Sequence, residues 1–263
     1  MTDIDATDRC RSVYALQVDG TLCHSPRDRF QTFSDISNHF NSHSADAHAW
    51  NSPADAAIAR ILDRYRSRKS IYLSGSPEAL PQPDIYHFAE DRACRIEFGN
   101  LAVQHVDALV SSDGDHLPMG AGVSAELSRV AGQEYRNTAS QFIPVRPGRA
   151  VVTPAGALPA RFVIHGITMG RKGGTWISPS RDLVNEIMDS CFYNADTLSL
   201  RSIAFPLLGT GTGRLSPEVC LDTMFLFLAR KLSQGVTSIR DVRIVLYPLS
   251  QKQRQHPGSW IHR

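Results

Sequence analysis

Short apolar runs, polar glycine-bearing stretches and apolar positions at helical spacing alternate along most of the chain. Residues 106–110 (VDALV) carry apolar side chains on both faces of an extended segment, which predicts a buried strand. A polar loop with glycines follows at 111–122, and apolar residues return at Val123, Leu127 and Val130. That spacing predicts a helix, with Gly132 placed to end it as a C-terminal cap. Residues 202–206 (SIAFP) repeat the arrangement, with Gly209, Gly211 and Gly213 after the strand and a helix opening near Ser216. Pro217 at the first helical position and Glu218 behind it mark that start. Further strands are predicted at 95–98, 151–153, 162–166 and 242–247, and helices at 180–194 and 217–232. Residues 169–175 read as a basic, glycine-rich loop. The alternation predicts an α/β fold, a three-layer α/β/α sandwich with a mixed central sheet.

The first ninety or so residues are patterned differently. A strand is predicted at 12–18, and residues 24–53 are polar and rich in Ser, Asn, His and Asp. A helix starts at Ser52-Pro53, with Ala57, Ile58, Ile61, Leu62 and Tyr65 as its apolar stripe. A short strand is predicted at 70–73, Pro77, Pro81 and Pro83 break regularity, and a boundary is expected near 85–91. The expected organisation is an N-terminal extension of unassigned, α/β or partly irregular type (1–90), a glycine-loop domain (91–250) and a polar tail (251–263).

The two glycine loops carry the candidate chemistry. Glycine lets a backbone approach a phosphate closely, and the free N–H groups of a first helical turn point at the anion. Two such loops at the carboxyl ends of two strands form the walls of one cleft, where open α/β sheets bind ligands. The phosphate-binding candidates are Gly120, Gly122, Val123 and Ser124 in the first loop. In the second they are Gly209, Thr210, Gly211, Thr212 and Gly213. Neither loop has the G-x-G-x-x-G spacing of a dinucleotide fold, and neither has the Gly-Lys-Ser/Thr of a nucleotide-triphosphate loop.

Three ordered blocks resemble the macro domains, a family that binds ADP-ribose. Residues 106–132 (VDALVSSDGDHLPMGAGVSAELSRVAG) follow the family run V-D-A-I-V-N-A-A-N, a glycine-bearing spacer, G-G-V-D-G-A-I and A-A-G without a gap. Residues 148–165 (GRAVVTPAGALPARFVIH) resemble G-x-A-x-x-T-x-G-x-L-P-A-x-x-V-I-H, and 202–211 (SIAFPLLGTG) resemble S-I-A-F-P-x-I-S-T-G. The resemblance covers roughly residues 94–248. It implies adenine contacts from Asn100 and Leu101, where the family has G-D-I, and distal-ribose contacts from the positions of Asp113, Gly114 and Asp115.

The chain departs from the family at several of these positions. Asn100 replaces an aspartate, so it accepts a hydrogen bond without a charge. Gly114 replaces the asparagine that holds the distal ribose, which leaves Asp113 or Asp115 to bind the hydroxyls. Met119 and Ala121 replace loop glycines. Ser124 replaces the aspartate that, in one hydrolase class, helps to activate water, and serine alone is no base at neutral pH. These departures favour binding of ADP-ribose or ADP-ribosylated ligands over hydrolysis. The alternatives are an ADP-ribosyl hydrolase acting on a protein, nucleic acid or metabolite, a degenerate fold serving protein contacts, and binding of a related nucleotide. Catalytic residues are left unassigned. His165 ends an apolar strand and is expected to be a packed, hydrogen-bonded histidine.

Composition narrows the partners. The formal net charge is +2, with acidic and basic residues interspersed, so direct nucleic-acid binding is not indicated. The five cysteines, Cys10, Cys23, Cys94, Cys191 and Cys220, are widely spaced and odd in number, which points to free thiols in a reducing cytoplasm. No apolar run is long enough to span a membrane, and MTDIDATDRC is not a signal peptide. No metal or cofactor is expected, since nothing fixes His39, His43 and His48 on one face. Asp19-Gly20-Thr21-Leu22 resembles the first motif of haloacid-dehalogenase-type phosphatases, but Gln17 stands where the nucleophilic aspartate must be.

Overall fold

Strand β3 (Ala108–Gly114) shows how the sequence builds the body, since its residues alternate between two apolar layers. Ala108 and Val110 point to one face and pack with Ile203, Phe205, Ile164 and Ile244. Leu109 points to the other and packs with Leu127, Val163, Ala204 and Val245. A strand apolar on both faces requires a cover on each. The computed structural model, which describes residues 53–89 and 91–249, supplies both covers.

Around β3 the sheet contains β1 (Asp84–Ala89), β2 (Arg92–Phe98), β4 (Ala150–Pro154), β5 (Phe162–Lys172), β6 (Thr175–Ile177), β7 (Ser202–Phe205) and β8 (Asp241–Leu246). The order is β1-β2-β8-β7-β3-β5-β4, with β6 paired to β5. Strands β2, β8, β7, β3 and β5 run parallel, while β1 and β4 close the two sides antiparallel. The helices are α1 (Pro53–Leu73), α2 (Gly122–Ala131), α3 (Gln133–Ala139), α4 (Arg181–Thr197) and α5 (Pro217–Ser233). Helices α1, α4 and α5 cover one face, and α2 with Tyr135 of α3 covers the other. This is the three-layer mixed α/β/α sandwich that the sequence predicts.

Local signals set the helix limits. Ser180 Oγ accepts from Leu183 N at the start of α4, and Ser216 caps α5 with Pro217 at its first position. Gly132 ends α2 at φ 95°, its N–H donating to Ser128 O. Several elements are longer than predicted. β3 continues to Gly114, because residues 111–113 keep pairing with β5. β5 runs to Lys172 and turns back through Gly173-Gly174 into β6, so the expected loop at 169–175 is a hairpin. Residues 70–73 complete α1 instead of forming a strand, with Tyr72 buried in the core.

The expected boundary at 85–91 falls across the β1–β2 pairing. Helix α1 is anchored to the same body. The Tyr65 ring stacks on Phe225 of α5 with centroids 4.0 Å apart, and its hydroxyl donates to Asp222 at 2.7 Å. Asp84 of β1 accepts from Arg68 at 2.7 Å and from Tyr72 at 2.6 Å. Burial alone would raise the Asp84 carboxyl, but these hydrogen bonds outweigh it and hold it below the usual carboxylate range. The phosphatase-like motif, Cys10, Cys23, His39, His43, His48 and the polar tail lie outside the described residues.

Candidate functional site

All five parallel strands end on one rim of the sheet, and the sequence-predicted loops leave from that rim. In strand order they are Asn100 after β2, residues 207–216 after β7, and residues 115–121 after β3. Parallel strands force this convergence, since each must return by a helix to the opposite rim before the next begins.

The two glycine loops are tied together. Gly209 N donates to Ser112 Oγ at 3.1 Å, and Ser112 Oγ donates to Thr168 Oγ1 of β5 at 3.3 Å. Thr168 Oγ1 in turn donates to Asp113 O at 3.1 Å. The second loop closes on itself through Leu215 N to Gly209 O and Arg214 N to Gly211 O, both at 3.0 Å. Gly209 adopts φ 70°, a conformation that suits glycine. A Cβ on Gly213 would lie 2.4 Å from Pro179 Cγ and 2.6 Å from Gly209 O, so the loop packs against Pro179 at that point. A Cβ on Gly211 would meet nothing within 4 Å, which leaves open space above the middle of the loop.

The first loop is bent where its sequence lacks glycine. Leu117 and Met119 have φ of 45° and 49°, the left-handed region that costs an ordinary side chain about 1–2 kcal/mol. Tertiary contacts hold the bend: Leu117 and Val145 pack with Ile167, and Val145 N donates to Asp115 O at 2.7 Å. The loop enters α2 through Ala121, which has no side chain to cap the helix. The first-turn N–H groups at Gly122, Val123 and Ser124 have no acceptor within the helix by its geometry, and the positive end of its dipole lies there. Gly120 and Gly122 are exposed, and a Cβ on Gly122 would meet nothing within 4 Å. The arrangement suits an anion between the N-terminus of α2 and the loop around Gly211.

Beneath this loop lies a buried polar chain that sequence reasoning did not assemble. Asp113 accepts a short hydrogen bond from Ser124 Oγ and faces His165 Nδ1 at 3.0 Å, while His165 Nε2 lies 3.0 Å from Thr153 Oγ1. Asp113, Ser124, His165 and Thr153 are all buried, and the Tyr135 ring lies 5.3 Å from that of His165. Burial pushes the Asp113 carboxyl up, but the hydrogen bonds from His165 and Ser124 prevail and hold it below the usual range. An ionised carboxylate only accepts, so Nδ1 of His165 carries the proton between them. The expected packed, hydrogen-bonded role of His165 is what the structure shows. One signal for this chain was available: Asp113 is the one charged residue of β3, and His165 interrupts the apolar run 162–167 of β5.

Both oxygens of Asp113 are occupied in the interior, so of the two acidic residues weighed for the distal ribose, Asp115 is the one at the rim. Its Oδ2 accepts from Arg171 N at 2.8 Å. Gly114 ends β3 with its Cα facing Pro118 and Met169. Asn100 caps the short turn Leu101–Val103, its side-chain oxygen accepting from Ala102 N at 2.8 Å, and Leu101 is buried. Thr210 Oγ1 donates to Leu207 O at 3.1 Å, and Thr212 is exposed. Thr168, Met169 and Pro179 are wall residues that the sequence did not single out. Among the described residues no group of His, Cys, Asp and Glu is arranged to hold a metal ion.

A family model described as the Macro domain matches residues 110–224. The O-acetyl-ADP-ribose deacetylase of Salmonella gallinarum is 32% identical over 140 residues, 50% of this chain and 77% of that protein. The chain belongs to the macro domain family. An uncharacterized protein of Aeropyrum pernix is 34% identical over 128 residues, and the match spans 65% of its length. One of Mycobacterium tuberculosis is 34% identical over 108 residues, with only 29% of its length spanned. The chain therefore covers less than two thirds of these two relatives. Solved macro domains share the fold. That of Oceanobacillus iheyensis superposes with a TM-score of 0.57 at 18% identity, covering 66% of this chain and 93% of that one. That of Trypanosoma brucei, in complex with ADP-ribose, superposes with a TM-score of 0.54 at 20% identity, covering 62% and 66%.

Proposed function

We propose that this macro domain binds ADP-ribose or ADP-ribosylated ligands in the cleft between its two glycine loops. The observation that carries the reading is the Ser112–Gly209 hydrogen bond, which sets the open loop around Gly211 beside the uncapped N-terminus of α2. A diphosphate fits that pair of donor sets. Gly120, Gly122, Val123 and Ser124 face it from one side and Gly209 to Gly213 from the other. Adenine lies toward Asn100 and Leu101, with the Asn100 oxygen using its second lone pair. The distal ribose lies toward Gly114 and Asp115. A Trypanosoma brucei relative that carries ADP-ribose and Salmonella gallinarum and Enterobacter cloacae relatives named for deacetylation of O-acetyl-ADP-ribose support this ligand class.

Binding is favoured over hydrolysis, because Asp113 is buried and committed to Ser124 and His165, and the rim carboxylate Asp115 already accepts from Arg171 N. Burial pushes the thiols of Cys94, Cys191 and Cys220 up, the last to about 12, which suits unreactive cysteines in a reducing cytoplasm. Among the described residues no helix is long and apolar enough to cross a membrane. Calorimetric titration with ADP-ribose and AMP tests the reading. ADP-ribose is expected to bind more tightly, and equal affinities would remove the diphosphate from the cleft. Release of ADP-ribose from O-acetyl-ADP-ribose or a modified protein would establish the hydrolase alternative instead.

A further inference from the structure

Along the ligand rim the strand order runs from β2 through β8, β7 and β3 to β5. On the proposed reading the ligand lies in that order too, with adenine at β2, diphosphate between β7 and β3, and distal ribose at the end of β3. Whatever is joined to the distal ribose must leave past β5. At that point the structure has a pocket of about 400 Å³ lined by Pro144, Val145, Arg146, Arg171, Lys172 and Gly173. It adjoins Asp115 directly, since Val145 N donates to Asp115 O and Arg171 N to Asp115 Oδ2. Its cations come from two segments, Arg146 ahead of β4 and Arg171 with Lys172 at the end of β5. All three are exposed, and none forms an ion pair with a described carboxylate. Asp115, the carboxylate that adjoins the pocket, accepts from the Arg171 backbone amide.

Beside the pocket is an aromatic surface. Trp176 is 56% exposed and pairs directly with Arg171 across the β5–β6 ribbon, so the two side chains share one face. A guanidinium fork matches phosphate oxygens, and an exposed indole presents a flat face on which a base can stack. An acidic peptide would use the cations but would have little use for the indole.

We propose that Arg146, Arg171, Lys172 and Trp176 form a contact surface for single-stranded nucleic acid, placed to hold the strand that bears the ADP-ribose. This assignment of the acceptor rests on the proposed ADP-ribose reading, whereas the contact surface itself can be tested without it. The near-neutral charge of the whole chain does not oppose it, because Arg146, Arg171 and Lys172 meet at one pocket.

The test uses the full chain and fluorescein-labelled ten-nucleotide single strands, one DNA and one RNA, followed by anisotropy at increasing salt. Binding is expected with a log–log salt slope of about −2, from roughly three phosphate contacts at ~0.7 each on a single strand. The DNA and RNA arms show which backbone is preferred. The double variant Arg146→Glu, Lys172→Glu should lower oligonucleotide affinity at least tenfold, and Trp176→Ala at least about fivefold. Both should retain ADP-ribose binding and the wild-type melting temperature, which shows that they fold. Absence of salt-dependent binding, wild-type affinity in both variants, or equal displacement by polyglutamate would overturn the proposal. Oligonucleotide binding by a chain that fails to bind ADP-ribose would uphold the surface and remove the ligand reading. Retained ADP-ribose binding without oligonucleotide binding would do the reverse.

Discussion

The backbone amide of Gly209 donates to the side chain of Ser112 across 3.1 Å, so the loop after β7 takes its position from the strand that feeds the other loop. Removing this hydroxyl frees one wall of the cleft relative to the other. Ser112→Ala should lower ADP-ribose affinity by about tenfold. The melting temperature should report only the net value of a hydrogen bond, about 1 kcal/mol. Calorimetry with a thermal melt separates the two effects. A variant with unchanged affinity would show that the loops hold their spacing without it.

Gly211→Glu places volume and negative charge in the open space above the second loop. ADP-ribose affinity should fall at least tenfold, about 1.4 kcal/mol, with little change in stability because a Cβ there meets nothing. Gly213→Ala should do the opposite in kind. Its Cβ would lie 2.4 Å from Pro179, so the melting temperature should fall as the loop shifts. If Gly211→Glu folds and binds normally, the ligand does not sit on this loop.

Met119 holds a left-handed backbone that glycine adopts without strain. Met119→Gly and Met119→Ala lose nearly the same packing, so their difference isolates the backbone. The glycine variant should be more stable by about 1 kcal/mol, measured by denaturant unfolding. A more stable alanine variant would mean that the loop relaxes away from φ 49°.

Asp113 gives stability a pH signature. Its folded pKa is depressed, so its contribution is present above the unfolded value of about 3.9 and is lost as pH falls through the lower folded value. Asp113→Ala should cost roughly 3 kcal/mol at pH 7, because it leaves His165 buried without its partner. The gap between wild type and variant should narrow below about pH 4. A constant gap down to pH 2 would show that the carboxyl is not ionised in the folded state.

Tyr65→Ala removes the ring stacked on Phe225 and the hydroxyl bonded to Asp222. A loss of about 3 kcal/mol in one cooperative transition is expected if α1 belongs to the same unit as the sheet. A separate early transition for α1 would contradict that.

Much of the fold was legible because residues 108–110 of β3 and 203–205 of β7 are apolar on both faces and the capping signals at Gly132, Ser180 and Ser216 act locally. The continuation of β5 to Lys172 was not, since Gly170 to Thr175 are polar enough to read as a loop, and Gly170 to Lys172 are held as a strand by pairing with Thr175 to Ile177. The strand predicted at 70–73 failed for a related reason. Ile71 and Tyr72 favour strands by propensity, but packing in the core with α5 and the hydrogen bond between the Tyr72 and Tyr86 hydroxyls keep them helical. At the site, sequence spacing located both glycine loops but could not show which way Asp113 points. That direction depends on Ser124 and His165, which lie 11 and 52 residues away.

Because β2, β8, β7, β3 and β5 are parallel, they open onto a single rim, and the opposite rim carries the β1–β2 and β4–β5 turns together with connections that return from helix to strand. One of these joins α5 to β8 through Gly235 and Val236, where Val236 is 70% exposed and a Cβ on Gly235 would meet nothing. A biotin tag or a tether spliced in there would immobilise the molecule with its cleft facing outward. The sandwich could then serve as an oriented capture layer on a sensor chip.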